Sequence, residues 1–147
     1  MPLEDHVGFV LHKLGKVAME MYSEQLDTIG LKPPHFILLA VLAEYEGVSQ
    51  IELGQLMGVS PSGLVVFLDD LERLTAVERS RDHEDRRRHV LALTPNGHRL
   101  LAKANAISLK VGEDMLQGLD PEQRRRLGEL VAEAAMGLGL VPQSRRG

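Results

Sequence analysis

The segment Ser49–Leu68, SQIELGQLMGVSPSGLVVFL, carries a helix start, a helix stop and a second helix start in close succession. Ser49 and Glu52 are spaced as a capping box, in which a hydroxyl and a carboxylate satisfy free backbone N–H groups at a first turn. Gly58 supplies the stop, and Ser60 followed by Pro61 supplies a new N-cap and first-turn proline. Two short helices joined by about three residues must cross steeply, because no generous loop is available to fold them antiparallel. The apolar pattern agrees. Leu53 and Leu56 would lie beneath the crossing, Gly54 would leave room for the approaching helix, and Leu64, Phe67, Leu68, Leu71 and Leu74 would return the second helix to the core. Each signal is weak alone. As a set they specify a helix-turn-helix, against the plainer reading of a helical hairpin with a solvated charged turn.

After this segment the period changes to two. VERSR and RHVLAL alternate so that Val77, Leu91 and Leu93 face inward while Glu78, Ser80 and Ala92 face outward, the pattern of a hairpin with a long charged tip. A hairpin directly after the second helix makes a winged helix. Elsewhere the spacing is helical. Val7 to Ile29 predicts a long amphipathic helix closed by Gly30, and LKPP opens a short, heavily buried helix, HFILLAVLAEYE, ending at Gly47. Thr94 and Pro95 open a helix striped at Leu100, Ala104, Ile107, Val111 and Met115. Asp120, Pro121 and Gln123 open a last one striped at Leu127, Leu130, Val131, Ala134 and Leu138. The fold class is mainly α with a small β-hairpin wing, a winged helix-turn-helix plus a helical dimerisation region, all one folding unit. Three striped helices exceed what a winged helix of about sixty residues can cover, so a second copy is expected to bury the remainder.

Composition narrows the function. The chain has a formal net charge of -4, yet Arg79 to His89 gathers Arg79, Arg81, Arg86, Arg87 and Arg88 against Asp82, Glu84 and Asp85, a local basic island. The absence of cysteine excludes disulfides, thiolate metal sites and thiol chemistry. MPLEDH carries acids where a signal peptide needs bases, and the apolar run Phe36–Ala43 is far too short to span a bilayer, so a cytoplasmic protein without membrane contact is expected. No phosphate loop, nucleophile elbow or paired acid and base is visible, so an enzyme is not expected. His83, Asp85 and His89 lack convergent geometry for a metal, and no cofactor is expected.

From about Val7 to Leu140 the chain resembles the multiple antibiotic resistance regulator (MarR) family of transcription factors. GLKPPHFILLAVLAE is similar to that family's second helix, and SQIELGQLMGVSPSGLVVFLDDLERL to its helix-turn-helix. VERSRDHEDRRRHVLALTPNGHRLL is similar to its wing and following helix, the most specific match of the three. The resemblance implies an obligate homodimer, with residues 1–31 and 95–140 as dimerisation helices, residues 34–94 as the DNA-binding lobe and residues 141–147 as a frayed tail. It implies two heads about 34–36 Å apart on double-stranded DNA with a near-palindromic operator, and repression relieved by a small, often aromatic or phenolic, ligand. From the family motif, Arg87 is the wing-tip arginine expected to enter the minor groove, and Asp85 the acid that orients it. Arg86 and Arg88 are expected to touch phosphates. Arg79 and Arg81 are either phosphate contacts or strand-surface charges.

The second helix of the motif departs from the family pattern. SPSGLVVFLDDLE contains no Lys or Arg and places Gly63, Val65 and Val66 where hydroxyl or basic residues are common. Ser60 and Ser62 remain as donors, Val65 or Val66 could at most touch thymine methyl groups, and Asp69 and Asp70 would face phosphates unfavourably. Weak or A·T-leaning recognition is therefore expected, and an interaction or ligand-binding module with weakened DNA binding is the alternative. Thr75 and Ala76 stand where the family has glycine and leucine, which bears on the angle at which the wing leaves the helix. A family ligand pocket would lie near His12, Met19, Tyr22, His35 and Phe36. The plain alternative keeps Met19 and Phe36 in the core and His12 and His35 as satisfied surface residues.

Overall fold

The computed structural model describes residues 1–45 and 47–140 of the 147-residue chain; the expected frayed tail, residues 141–147, lies outside them. A short 3-10 turn, Leu3–Asp5, precedes α1 (Val7–Asp27), α2 (Pro33–Glu44), α3 (Gln50–Met57) and α4 (Pro61–Arg73). The hairpin β1 (Val77–Arg81) and β2 (His89–Leu93) follows, then α5 (Pro95–Met115) and α6 (Pro121–Gly137). The mainly helical fold with a two-stranded wing is the one read from the sequence. The chain divides into two compact units, residues 1–115 and residues 116–147. No single helix among the described residues is long and apolar enough to cross a membrane.

In the first unit α2 is central, packing on α1, α4, α5 and β2. Its Leu38, Leu39 and Leu42 join Leu26, Leu53, Leu64, Leu68, Leu71 and Leu91 in one buried core. Local chemistry sets the element ends. After α1, Gly30 takes φ 76, while Gly30 N–H donates to Asp27 C=O and Leu31 N–H to Leu26 C=O, both at 3.0 Å, a Schellman closure. Ser49 and Glu52 form the expected capping box at α3, and Asp120 and Gln123 form one at α6. α3 and α4 meet at a bend of 109°, within the range of a helix-turn-helix.

Two positions differ from the sequence reading. Leu56 is 39% exposed, because α3 is only two turns long and turns Leu53 and Met57 to the core, leaving Leu56 to one side. Leu74 is likewise exposed, since the chain leaves the helix there.

The wing is antiparallel, with Val77 opposite Leu93, Arg79 opposite Leu91 and Arg81 opposite His89. Val77 and Leu91 are buried, as expected, and Glu78, Ser80 and Ala92 are exposed. Ser49 adds a β-bridge to Val90, and Leu91 N–H donates to Val48 C=O at 3.1 Å, so the strand next to the helix-turn-helix is held by the residue that caps α3.

Candidate nucleic-acid interface

Helix α4 starts at Ser60, whose Oγ accepts the Gly63 N–H at 3.2 Å and lies 3.3 Å from Ser62 Oγ. A Cβ at Gly63 would stand 3.2 Å from that same Oγ, so the small residue keeps the cap tight. Leu64, Leu68 and Leu71 are buried, while Ser62, Val65, Val66 and Asp69 form the exposed face. Asp70, expected to face outward beside Asp69, turns inward instead. Its Oδ2 accepts from His35 Nε2 at 2.9 Å and its Oδ1 pairs with Arg73. His35 Nδ1 accepts the Lys32 N–H at 2.9 Å, which places the ring hydrogen on Nε2 and makes His35 both the cap of α2 and a tie to α4. The hydrogen bond from His35, reinforced by the charges of Arg73 and Lys32, outweighs partial burial and holds the Asp70 carboxyl below its usual range.

The wing tip is a built loop. Asp82 N–H donates to Arg88 C=O at 2.8 Å, and Arg88 N–H donates to Asp85 C=O at 2.9 Å. Asp85 Oδ1 accepts the Arg87 N–H at 3.0 Å and lies 3.5 Å from Arg87 Nε. The Arg87 side chain is 95% exposed, so the expected pairing of Asp85 with Arg87 is present and leaves the guanidinium in solvent. Arg81 and Arg86 are also exposed. Arg88 behaves differently, pairing with Glu52 of α3 and lying 3.9 Å from Asp82. Arg79, on the inward face with Val77, approaches Glu72 of α4 at 3.1 Å, although neither group is aligned for a hydrogen bond. Two of the five wing arginines are thus struts between the hairpin and the helix-turn-helix.

At the foot of the wing stand Thr75 and Ala76, which depart from the family pattern, together with Asn96 and Gly97, to which sequence reasoning gave no role. Thr75 takes φ 55, the left-handed conformation, with Thr75 N–H donating to Glu72 C=O and Ala76 N–H to Leu71 C=O, both at 2.9 Å. A threonine therefore performs the closure that glycine performs after α1. Thr94 N–H donates to Ala76 C=O at 3.1 Å, its hydroxyl donates to Thr75 C=O, and Asn96 Nδ2 donates to Leu74 C=O at 2.8 Å. A Cβ on Gly97 would stand 2.0 Å from Ala76 O. The end of α4, both strands and the start of α5 are lashed together here, and TPNG was the signal that could have revealed it.

Of the residues expected near a ligand pocket, the structure brings together Tyr22 and Phe36, whose rings stack with centroids 6.2 Å apart. Tyr22 Oη and Ser108 Oγ are 2.7 Å apart, joining α1 to α5. His35 is committed to Lys32 and Asp70, and its ring meets that of Phe67 edge-on at 5.6 Å. His12 and Met19 are exposed on α1. A groove of about 920 Å³ lies elsewhere, between α3, the turn and the wing, and is lined by residues including Ile51, Gln55, Val59, Pro61 and Arg87. A smaller cleft of about 350 Å³ borders Lys32, His35, Asp70 and Arg73. Among the described residues no group of three or more His, Asp or Glu side chains is arranged to hold a metal ion.

The groove along α3 is bordered by the start of α4 at Pro61 and by the wing tip at Arg87, an arrangement that suits contact with a grooved polyanion. A family model described as MarR family matches residues 29–88. The chain is 28% identical over 125 residues to the HTH-type transcriptional repressor Rv2887 of Mycobacterium tuberculosis, covering 85% of this chain and 90% of that protein. A crystal structure of Rv2887 in complex with DNA superposes with a TM-score of 0.76 at 27% identity, over 91% of this chain and 98% of that one. A MarR family regulator from Rhodococcus sp. RHA1 gives 0.81 at 27% identity, over 92% and 96%. CouR from Rhodococcus jostii RHA1, solved with bound p-coumaroyl-CoA, gives 0.76 at 28% identity, over 92% and 95%. Matched model, relatives and solved folds agree with the helix-turn-helix and wing described above: residues 29–88 match the MarR family model, and most of the chain is similar in sequence and fold to transcriptional regulators, MarR family regulators among them.

Proposed function

We propose that this protein is a homodimeric repressor that binds a near-palindromic operator on double-stranded DNA through its wing and α4, and that a small aromatic ligand releases it. The observation that carries the DNA-binding part is Arg87: its guanidinium stands in solvent at the tip of a hairpin braced against α3 and α4, with Asp85 beside it to set its direction. Arg87 would enter the minor groove, and Arg81 and Arg86 would meet the flanking phosphates. Ser60, Ser62, Gly63 and Val66 would face the major groove from the first turns of α4. Arg88 and Arg79 would hold the hairpin at its working angle rather than contact DNA.

The homodimer is supported by apolar surface that a monomer would leave in water. Val7, Phe9 and Leu11 are exposed on α1, and Leu130, Val131 and Met136 are exposed on α6. Ligand release is supported by the Tyr22–Phe36 stack at the α1–α5 seam, which an aromatic ring could replace, and by the aromatic acyl group carried by the relative CouR. A second reading, a winged-helix interaction module with weakened DNA binding, is favoured by α4 itself, whose single arginine is engaged by Asp70.

Fluorescence anisotropy on DNA flanking the gene separates these readings. The repressor reading expects a low-salt shift that Arg87→Ala weakens at least about tenfold on every sequence, with the thermal midpoint unchanged. No shift at low salt would leave only the interaction module. An aromatic acid should dissociate the complex, and Phe36→Ala should blunt that response.

A further inference from the structure

We infer that α4 discriminates bases chiefly by burying the 5-methyl groups of thymine against Val66 and Val65, rather than by hydrogen bonding. This rests on the reading of α4 as the helix that enters the major groove.

The exposed face of α4 is Ser62, Val65, Val66 and Asp69, the i, i+3, i+4, i+7 set of a single helix stripe. Val66 is 57% exposed and Val65 38%, although the core face opposite is complete with Leu64, Leu68 and Leu71. Branched residues lower helix propensity, so folding alone gives no reason for two of them in water here. Hydrogen-bonded readout of base edges draws on arginine, lysine, asparagine or glutamine, and α4 has only Arg73, in its last turn and bonded to Asp70. The Ser60 hydroxyl is taken up by the Gly63 N–H and by Ser62. One serine and two valines remain on the first turns. Thymine is the one base that presents a methyl group to the major groove, and a stiff valine side chain loses little rotamer freedom in meeting it.

Deoxyuridine isolates this contact, because it keeps the base pairing and the minor-groove edge of thymine and removes only the methyl group. Each buried methyl is worth about fourfold in affinity, so one methyl in each of two half-sites is worth about tenfold or more. The experiment measures equilibrium binding of the full chain to one promoter duplex carrying thymine or deoxyuridine in the half-sites, for wild type and Val66→Ala. Wild type should bind the thymine duplex about tenfold or more tighter. Val66→Ala, whose side chain is exposed and whose fold is checked by thermal melting, should lose most of that preference. Equal wild-type affinity for the two duplexes overturns methyl readout while leaving the repressor reading intact. A full preference retained by Val66→Ala overturns the assignment to the valine, and binding to neither duplex overturns both readings.

Discussion

Thr75 sits where an L-residue is costly. Its φ of 55 places a β-branched side chain in the left-handed region, a strain of roughly 1–2 kcal/mol, and its hydroxyl offsets part of this by donating to Leu74 C=O at 2.7 Å. Thr75→Gly should therefore gain about 1 kcal/mol and raise the thermal midpoint by about 2–4 °C; a lower midpoint in calorimetry would contradict the strain. Gly97 is the reverse case, since a Cβ there would meet Ala76 O at 2.0 Å. Gly97→Ala should cost about 3 kcal/mol or more in chemical denaturation. Asp70 links pH to stability. Its folded carboxyl titrates below the ordinary aspartate value, chiefly through the hydrogen bond from His35. The stability it contributes is thus complete above that value and is lost as pH falls through the lower, folded pKa. Asp70→Asn should be less stable than wild type near neutrality, with the deficit shrinking as the medium is acidified below that value. A deficit that persists unchanged in acid melts would remove the linkage.

Among the elements, those governed by short-range chemistry were legible in the sequence. Capping at Ser49, Ser60, Thr94 and Asp120 acts over three or four residues, and the alternation of Val77, Leu91 and Leu93 is a local pattern. The Asp85–Arg87 pairing was expected from the resemblance to the family's wing motif, and it too joins residues only two apart. What escaped was decided by packing between distant segments: Arg79 on Glu72, Arg88 on Glu52, and His35 on Asp70. Charge spacing alone cannot separate an arginine that braces a hairpin from one offered to phosphate. One signal could have done so for Arg79, because period two puts it on the inward face with Val77, opposite Leu91. The wing thus divides into arginines that hold and arginines that reach. Glu72→Ala, which leaves the half-buried Arg79 without its partner, should cost about 1–2 kcal/mol and weaken DNA binding indirectly. Arg87→Ala should leave the melting curve alone. Equal loss of stability in the two variants would erase the division.

At the scale of the whole molecule, a net-acidic chain is proposed to hold a polyanion through a few placed cations, and its exposed apolar helix faces are proposed to be covered by a second copy. Sedimentation should give twice the chain mass. Phe9→Glu, at a residue 60% exposed on α1, should shift it toward the monomer and lose the half-site pair together. The affinity itself should follow from the division of the arginines. Arg81 and Arg86 remain for phosphates and Arg87 for the minor groove between them, so that each subunit brings three cations against the backbone charge, whereas Arg79 and Arg88 are held by Glu72 and Glu52. Six contacts per dimer predict that log affinity falls with log salt concentration at a slope of about -5, where all five arginines of each wing would give about -9. Equilibrium titration of the promoter duplex across salt concentrations is the most direct measurement: a slope near -5 that becomes shallower in Arg87→Ala is the predicted result, and a slope near zero, or one unchanged by Arg87→Ala, would contradict DNA binding through the wing.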